Sequence, residues 1–239
     1  MTAWSGRLGR AFLASVLAMM LGTLAACTSD APGEGLSQTG KPLTIAQSEQ
    51  LAAARFQLAA KGRFTVSISA DPETSVSHYT AELTVDPATK RAWGTVILGP
   101  RSLAVTNSVA YSSTVYAVRS GSSWQVQPID SAPGEAMLIP FSLVSDRPEN
   151  AELLRQSSAR FLGNTTLDGS SVNVYRLASD SGEASSARLW LDSDGGIRRL
   201  DAGDDSKLVV LVNTVKPQPK PADLDSLLGP VNGTGGTGG

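Results

Sequence analysis

The sequence predicts an α+β fold, a large antiparallel sheet with one helix before it and a second inserted into it. Three observations predict this. Short segments of alternating apolar and polar residues recur with turn residues between them, as in strands joined by tight hairpins. Residues 44–60 carry a helical pattern. A second capped, helix-like stretch interrupts the strand series near residue 146.

Thr44 opens the first helix, with Gln47 three residues on as a capping box. Leu51, Ala54 and Leu58 share one face of it, and Gly62 stops it. Phe64, Val66 and Ile68 then alternate with Thr65, Ser67 and Ser69. Tyr79, Ala81, Leu83 and Val85 alternate with His78, Thr80, Glu82 and Thr84, and Asp86-Pro87 opens a turn. Residues 93–98, including Val96 and Leu98, are apolar on both faces. Strands are expected at 103–106, 115–118 and 124–126, with Gly121 turning between the last two. The second helix is expected to start with Asp146 and Glu149 at cap spacing around Pro148. Leu153, Leu154 and Phe161 give it an apolar side, and Gly163 ends it. Leu167-Asp168-Gly169 then signals a hairpin into Val172, Val174 and Tyr175. Asp194-Gly195-Gly196 joins 189–191 to 197–200, and 208–212 reads as a strand covered on both faces.

The ends of the chain read differently. Arg7 and Arg10 precede an apolar run at 11–21, which has the length of a signal-peptide core and is too short to span a bilayer. The arginines are not paired, so the leader reads as Sec-type. Leu24-Ala25-Ala26-Cys27 follows and reads as a lipobox. In proteins with this motif the cysteine thiol takes a diacylglyceryl group, the leader is cut before the cysteine, and the new N-terminus is acylated. The expected layout is a leader at 1–26, a lipidated flexible tether at 27–43, a domain at 44–215 and a disordered Pro/Gly-rich tail at 216–239. Leu224, Leu227 and Leu228 give that tail a few apolar side chains with which to dock back. The expected location is the extracytoplasmic face of a cell membrane, held by lipid without spanning it.

Composition excludes several functions. The formal net charge is -2, more negative once Arg7 and Arg10 leave with the leader, and there is no basic block, so nucleic acid is not an expected partner. Cys27 is the sole cysteine, so its lipidation leaves no thiol for a disulfide, a metal site or a nucleophile. His78 is the sole histidine and falls on the polar face of its strand; one unpartnered histidine makes no site. No Gly-x-Ser-x-Gly elbow, phosphate-binding loop or dinucleotide fingerprint occurs. Asp192, Asp194, Asp204 and Asp205 match no calcium loop, and turn duty is their simpler use. No catalysis, cofactor or metal is expected. What remains is binding. A sheet covered by two helices with 5% aromatic residues has apolar surface to spare, and either a cavity or a packed core fits the pattern.

Across roughly 43–215 the order of several segments resembles the LppX/LprG family of actinobacterial envelope lipoproteins, within the wider LolA-like group. Met137-Leu-Ile-Pro-Phe-Ser-Leu-Val through Leu153-Leu154 is similar to its aliphatic-Pro segment running into a helix with paired leucines. Phe161-Leu-Gly163, Leu167-Asp-Gly169 and Val174-Tyr-Arg176 resemble its hairpin. Arg188-Leu-Trp190-Leu-Asp192 before Ile197-Arg-Arg-Leu200 resembles its Trp-x-Asp strand pair. The resemblance implies a half-barrel, a curved antiparallel sheet with helices on its concave face and a cavity between them for acyl lipids or glycolipids, bound without catalysis. Expected partners are that lipid, the membrane through Cys27, and an envelope transporter. The expected lining is Phe64, Val66, Ile68, Leu83, Val96, Leu98, Leu153, Leu154 and Phe161. The competing expectation is a scaffold or partner-binding lipoprotein with a packed core.

Overall fold

The structure, a computed structural model, describes residues 35–70, 78–99, 105–129, 135–178, 187–202 and 208–229. The first helix, α1 (Ile45–Ala60), starts at the expected capping box: Thr44 Oγ1 accepts from Gln47 N–H, and Gln47 Oε1 accepts from Thr44 N–H. Six strands follow: β1 (Phe64–Ala70), β2 (His78–Asp86), β3 (Arg91–Gly99), β4 (Val105–Ser112), β5 (Val115–Ser120) and β6 (Ser123–Pro128). A 3-10 turn (Glu135–Leu138), α2 (Ile139–Ser142) and α3 (Ala151–Gln156) interrupt them. Then come β7 (Arg160–Leu167), β8 (Ser170–Arg176), β9 (Arg188–Asp192), β10 (Ile197–Ala202), β11 (Leu208–Val212) and a last helix, α4 (Leu224–Leu228).

All eleven strands form one antiparallel sheet in the order β6-β5-β4-β3-β2-β1-β11-β10-β9-β8-β7. It is two meanders joined along β1 and β11, with Val66 opposite Val212 and Ile68 opposite Val210. The turns follow the sequence. At Asp168-Gly169 both residues have positive φ (50° and 76°), the pair of angles a two-residue hairpin of this hand needs.

One face of the sheet carries α1, α2 and α3. Leu51, Ala54 and Leu58 of α1 join Phe64, Val66, Ile68, Leu83 and Val96 in a single core that runs from Tyr116 on β5 to Tyr175 on β8. Laid flat, β5 and β8 would stand about 40 Å apart. A helix with its side chains is only about 10–12 Å across. One continuous core under so few helices therefore requires the sheet to curve around them. It does not close, since β6 and β7 remain its edges. A polar tie crosses the same face: Gln50 Oε1 accepts from Tyr175 O–H (2.7 Å) and Asn173 Nδ2 (2.9 Å), and Gln50 Nε2 donates to Asp192 O (3.1 Å).

Several expectations need correction. The inserted helix is not 146–163. Asn150 caps it through Glu152 and Leu153 N–H, and it ends at Gln156. Phe161 and Gly163 lie on β7, where the alternation of 160–167 meets a partner strand in β8. β4 continues to Ser112, because the polar Asn107 and Ser108 precede Val109 and Tyr111 on a strand paired throughout with β3. On β11, Val210 and Val212 are buried but Val209 and Leu211 only half so. The tether is not free to residue 43. Ser37 N–H donates to Leu162 O, Lys41 pairs with Phe161, and Leu36 packs on Leu162, Val172, Val174 and Trp190. The segment gives the edge strand β7 a backbone partner. Nor is the tail unstructured from 216. Gln218 O accepts from Trp93 Nε1 (3.0 Å), and Leu224 and Leu228 cover Trp93, Ala110 and Ala117 on the face opposite α1. Trp93 makes that cover favourable, since it is the large apolar side chain on the outer side of β3. Its neighbour Arg91, itself buried, pairs with Asp225 and Gly229 O on the same segment.

Buried tyrosines give the core a pH limit. Burial pushes the Tyr79, Tyr111 and Tyr116 hydroxyls up, and burial pushes Tyr175 up to about 12 against the opposing hydrogen bond from Asn173. In the unfolded chain these groups ionise near the ordinary value of 10.0. The stabilisation is thus complete below pH 10 and is lost as pH rises from there through 12. In an alkaline titration followed at 295 nm, most tyrosine absorbance is expected to appear only with the loss of the folded circular dichroism signal. Full tyrosinate absorbance near pH 10 with the fold intact would contradict this.

Candidate functional site

A cavity of about 460 Å³ lies on the helix-bearing face. Its apolar walls are Leu51 of α1, Leu143 just after α2, Leu154 of α3, Leu189 of β9, and Ile197 and Leu200 of β10. Arg55 and Glu149 supply its charge. They form an ion pair at 3.0 Å with side chains 39% and 35% exposed, so the pair stands at the mouth and not in the interior.

The local sequence explains this placement. Arg55 follows Leu51 by four residues, so one turn of α1 points both at the cavity. The segment after α2 is stitched to α1 through backbone groups: Ser145 N–H donates to Arg55 O (3.3 Å) and Glu149 N–H to Ala52 O (3.0 Å). Arg55 Nη2 adds a bond to Val144 O (3.3 Å). Its Nε is buried and has no hydrogen-bond partner among the described residues.

Of the residues expected to line a cavity, Leu154 does so. Phe64, Val66, Ile68, Leu83 and Val96 are on the same face but are packed in the core beneath α1, whose Leu51, Ala54 and Leu58 fill the space above them. Phe161 is half-buried against Tyr175, with ring centroids 5.6 Å apart. Leu153 turns to solvent, 63% exposed, because Asn150 sets the helix phase so that Leu154 faces inward. Cys27 and the side chains of Leu98 and His78 lie outside the described residues, as do Asp204 and Asp205. Asp192 serves its turn, accepting from Gly196 N–H (2.7 Å) and Asp194 N–H (3.1 Å). Sequence reasoning missed Arg55, Leu143, Leu189, Ile197 and Leu200. Strict alternation would set Ile197 and Leu200 on opposite faces; a bulge between Ile197 and Arg199 brings both to the side of Leu189, and nothing local tells which half of the sheet the helices leave uncovered.

The other half of the face is filled. Met137 is fully buried and accepts a hydrogen bond from Tyr79 O–H. Phe141 meets Tyr111 edge to face at 5.5 Å. The Tyr111 hydroxyl is buried with no hydrogen-bond partner among the described residues.

No protein-family model matches the sequence, and no curated protein matches it. Among solved structures the chain is similar to LprF from Mycobacterium bovis, at 12% identity and a TM-score of 0.46, over 76% of this chain and 99% of that one. It is similar to lipoprotein LppX from Mycobacterium tuberculosis at 15% identity and a TM-score of 0.44, over 75% and 97% of the two chains. It is similar to a LolA superfamily protein from Nitrosomonas europaea at 12% identity and a TM-score of 0.29, over 75% and 96%.

Proposed function

We propose that the chain is an envelope lipoprotein, anchored to the extracytoplasmic face of a membrane through lipid on Cys27, that holds the acyl chain of a lipid or glycolipid without catalysis. The observation that carries this reading is the cavity between α1, the segment after α2 and strands β9 and β10. Its volume of about 460 Å³ lies within the roughly 300–1,000 Å³ of small-molecule sites. Its walls are leucine and isoleucine, so the driving force is burial of CH₂ groups, about 0.8 kcal/mol each. Arg55, whose half-exposed guanidinium stands at the mouth beside Glu149, fits an oxygen of the lipid head there.

The experiment is native mass spectrometry and lipid extraction of the purified chain, with uptake of a fluorescent fatty acid. A bound acyl species or saturable uptake is expected. Leu200→Trp, which fills the cavity from its strand floor, is expected to weaken uptake about tenfold or more while the circular dichroism spectrum is kept. Absence of lipid together with absence of uptake would favour a scaffold with a closed core, the reading that Tyr79, Tyr111 and Met137 favour for the other half of the same face. For the anchor, Cys27→Ser is expected to abolish incorporation of a labelled fatty acid into the protein and to leave the leader uncut.

A further inference from the structure

On the face opposite α1, three arginines stand directly opposite one another on adjacent strands. Arg160 of β7 is in register with Arg176 of β8, and Arg176 with Arg188 of β9. All three lie on the outer side, since their neighbours Phe161, Tyr175 and Leu189 belong to the α1 core. Like charges directly opposite in a sheet repel, so such a row calls for a counter-charge. Among the described residues none of the three forms an ion pair. Arg160 donates to Ser157 O and Ala159 O, and Arg176 to Gln38 O and Thr39 O, all neutral carbonyls. Asp201, the next position along the row, is in register with Arg188 but gives both carboxylate oxygens to Arg199.

The position of the row matters as much as its charge. The segment that leads back to Cys27 runs across it, with its Gln38 and Thr39 carbonyls on the Arg176 guanidinium. Between Cys27 and Gly35 the chain reaches at most about 28 Å even fully extended. A lipid on Cys27 would therefore hold Gly35 within about that distance of the bilayer surface. Guanidinium groups match phosphate geometry, and basic residues beside an anionic leaflet are drawn to it.

We propose that the Arg160–Arg176–Arg188 row is a docking surface for an anionic phospholipid bilayer, which seats the β7–β9 edge of the domain on the membrane. The proximity part rests on the lipid-anchor reading; the contact itself does not, and is tested without the anchor. The full chain carrying Cys27→Ser is titrated with vesicles of phosphatidylcholine and with vesicles containing 30% phosphatidylglycerol. Tighter binding to the anionic vesicles is expected, weakened by raising NaCl from 0.1 to 0.5 M. Arg188→Gln is expected to bind them about fivefold more weakly, and Arg188→Lys to restore binding. The Arg188 side chain makes no hydrogen bond among the described residues, so its replacement is expected to leave the fold intact; the Arg160→Gln/Arg176→Gln/Arg188→Gln chain is expected to lose most of the remaining preference. The leader is common to all these chains, so differences between them read the arginines alone. Equal binding of the parent to both vesicle types, or Gln variants that bind anionic vesicles as tightly as the parent, would overturn the proposal.

Discussion

Gly94→Ala is expected to destabilise the domain by roughly 3 kcal/mol or more, the scale of severe overpacking in a core. Gly94 sits in mid-β3, between Leu83 of β2 and Val109 of β4. A Cβ built there overlaps the Glu82 carbonyl oxygen and comes within 2.9 Å of Leu83 Cα. Both are backbone atoms of a paired strand, so no rotamer change relieves the contact. The residue also has φ +159°, at the limit of what L side chains adopt. Gly169→Ala is the control: its φ is +76°, but nothing lies within 4 Å of the added carbon, so only the backbone strain of about 1 kcal/mol is expected. Urea unfolding of the two variants checks this. The midpoint of Gly94→Ala should fall far below that of Gly169→Ala with unchanged slope. Equal midpoints would mean that β2 and β3 can separate at this point without loss.

Local chemistry made some elements legible and left others hidden. The capping box at Thr44 and Gln47 and the Asp168-Gly169 turn are decided by residues within a few positions of one another, and both were read correctly. The inserted helix was misplaced because Asp146, Pro148 and Glu149 make a plausible cap by spacing alone. The choice of Asn150 depends on the segment before it being tied to Ala52 and Arg55, far away in sequence. The pairing of β1 with β11 is equally invisible, since it joins the two ends of the sheet-forming chain.

The terminal segments hold to the sheet more than their composition suggests, for a related reason, and the docking of Leu224 and Leu228 is the part that the sequence shows. Their Ser, Thr, Pro and Gly composition offers little apolar surface, but they are held by backbone bonds and single anchors. Leu36, Leu224 and Leu228 are sufficient once Trp190 and Trp93 present apolar surface outside the sheet. The candidate lining was half legible. Period-two alternation sets Phe64, Val66 and Ile68 on one side of their strand and Leu83 on one side of its own, without saying which side, and leaves Val96 in a segment apolar on both faces; in the structure all five lie on the face under α1. Whether that face is filled or empty depends on where a helix rests, and the emptier part is beside β9 and β10, where Leu189, Ile197 and Leu200 lie.

Asp201→Ala is expected to cost about 3–5 kcal/mol, as removal of one partner from a buried ion pair does. The Asp201 side chain is 3% exposed and that of Arg199 12%. Arg199 reaches it with both Nε and Nη2, at 2.5 and 2.9 Å, while its guanidinium lies 4.9 Å over the buried Trp190 ring. Without Asp201 the Arg199 charge keeps its aromatic contact but has no anion, and it stands near Arg188, the cross-strand neighbour of Asp201. The charge, and not the lost volume, should dominate. Arg199→Met combined with Asp201→Leu removes both charges while keeping apolar bulk beside Trp190, and is expected to recover most of the loss in urea unfolding. A double variant no more stable than Asp201→Ala would place the loss in packing instead. The pair also bears on the membrane-facing row. Asp201 is paired with Arg199, and among the described residues it makes no ion pair with Arg188. At temperatures where Asp201→Ala remains folded, its affinity for anionic vesicles should therefore be no lower than that of the parent chain. A marked fall would mean that Asp201 holds Arg188 in place rather than standing apart from it.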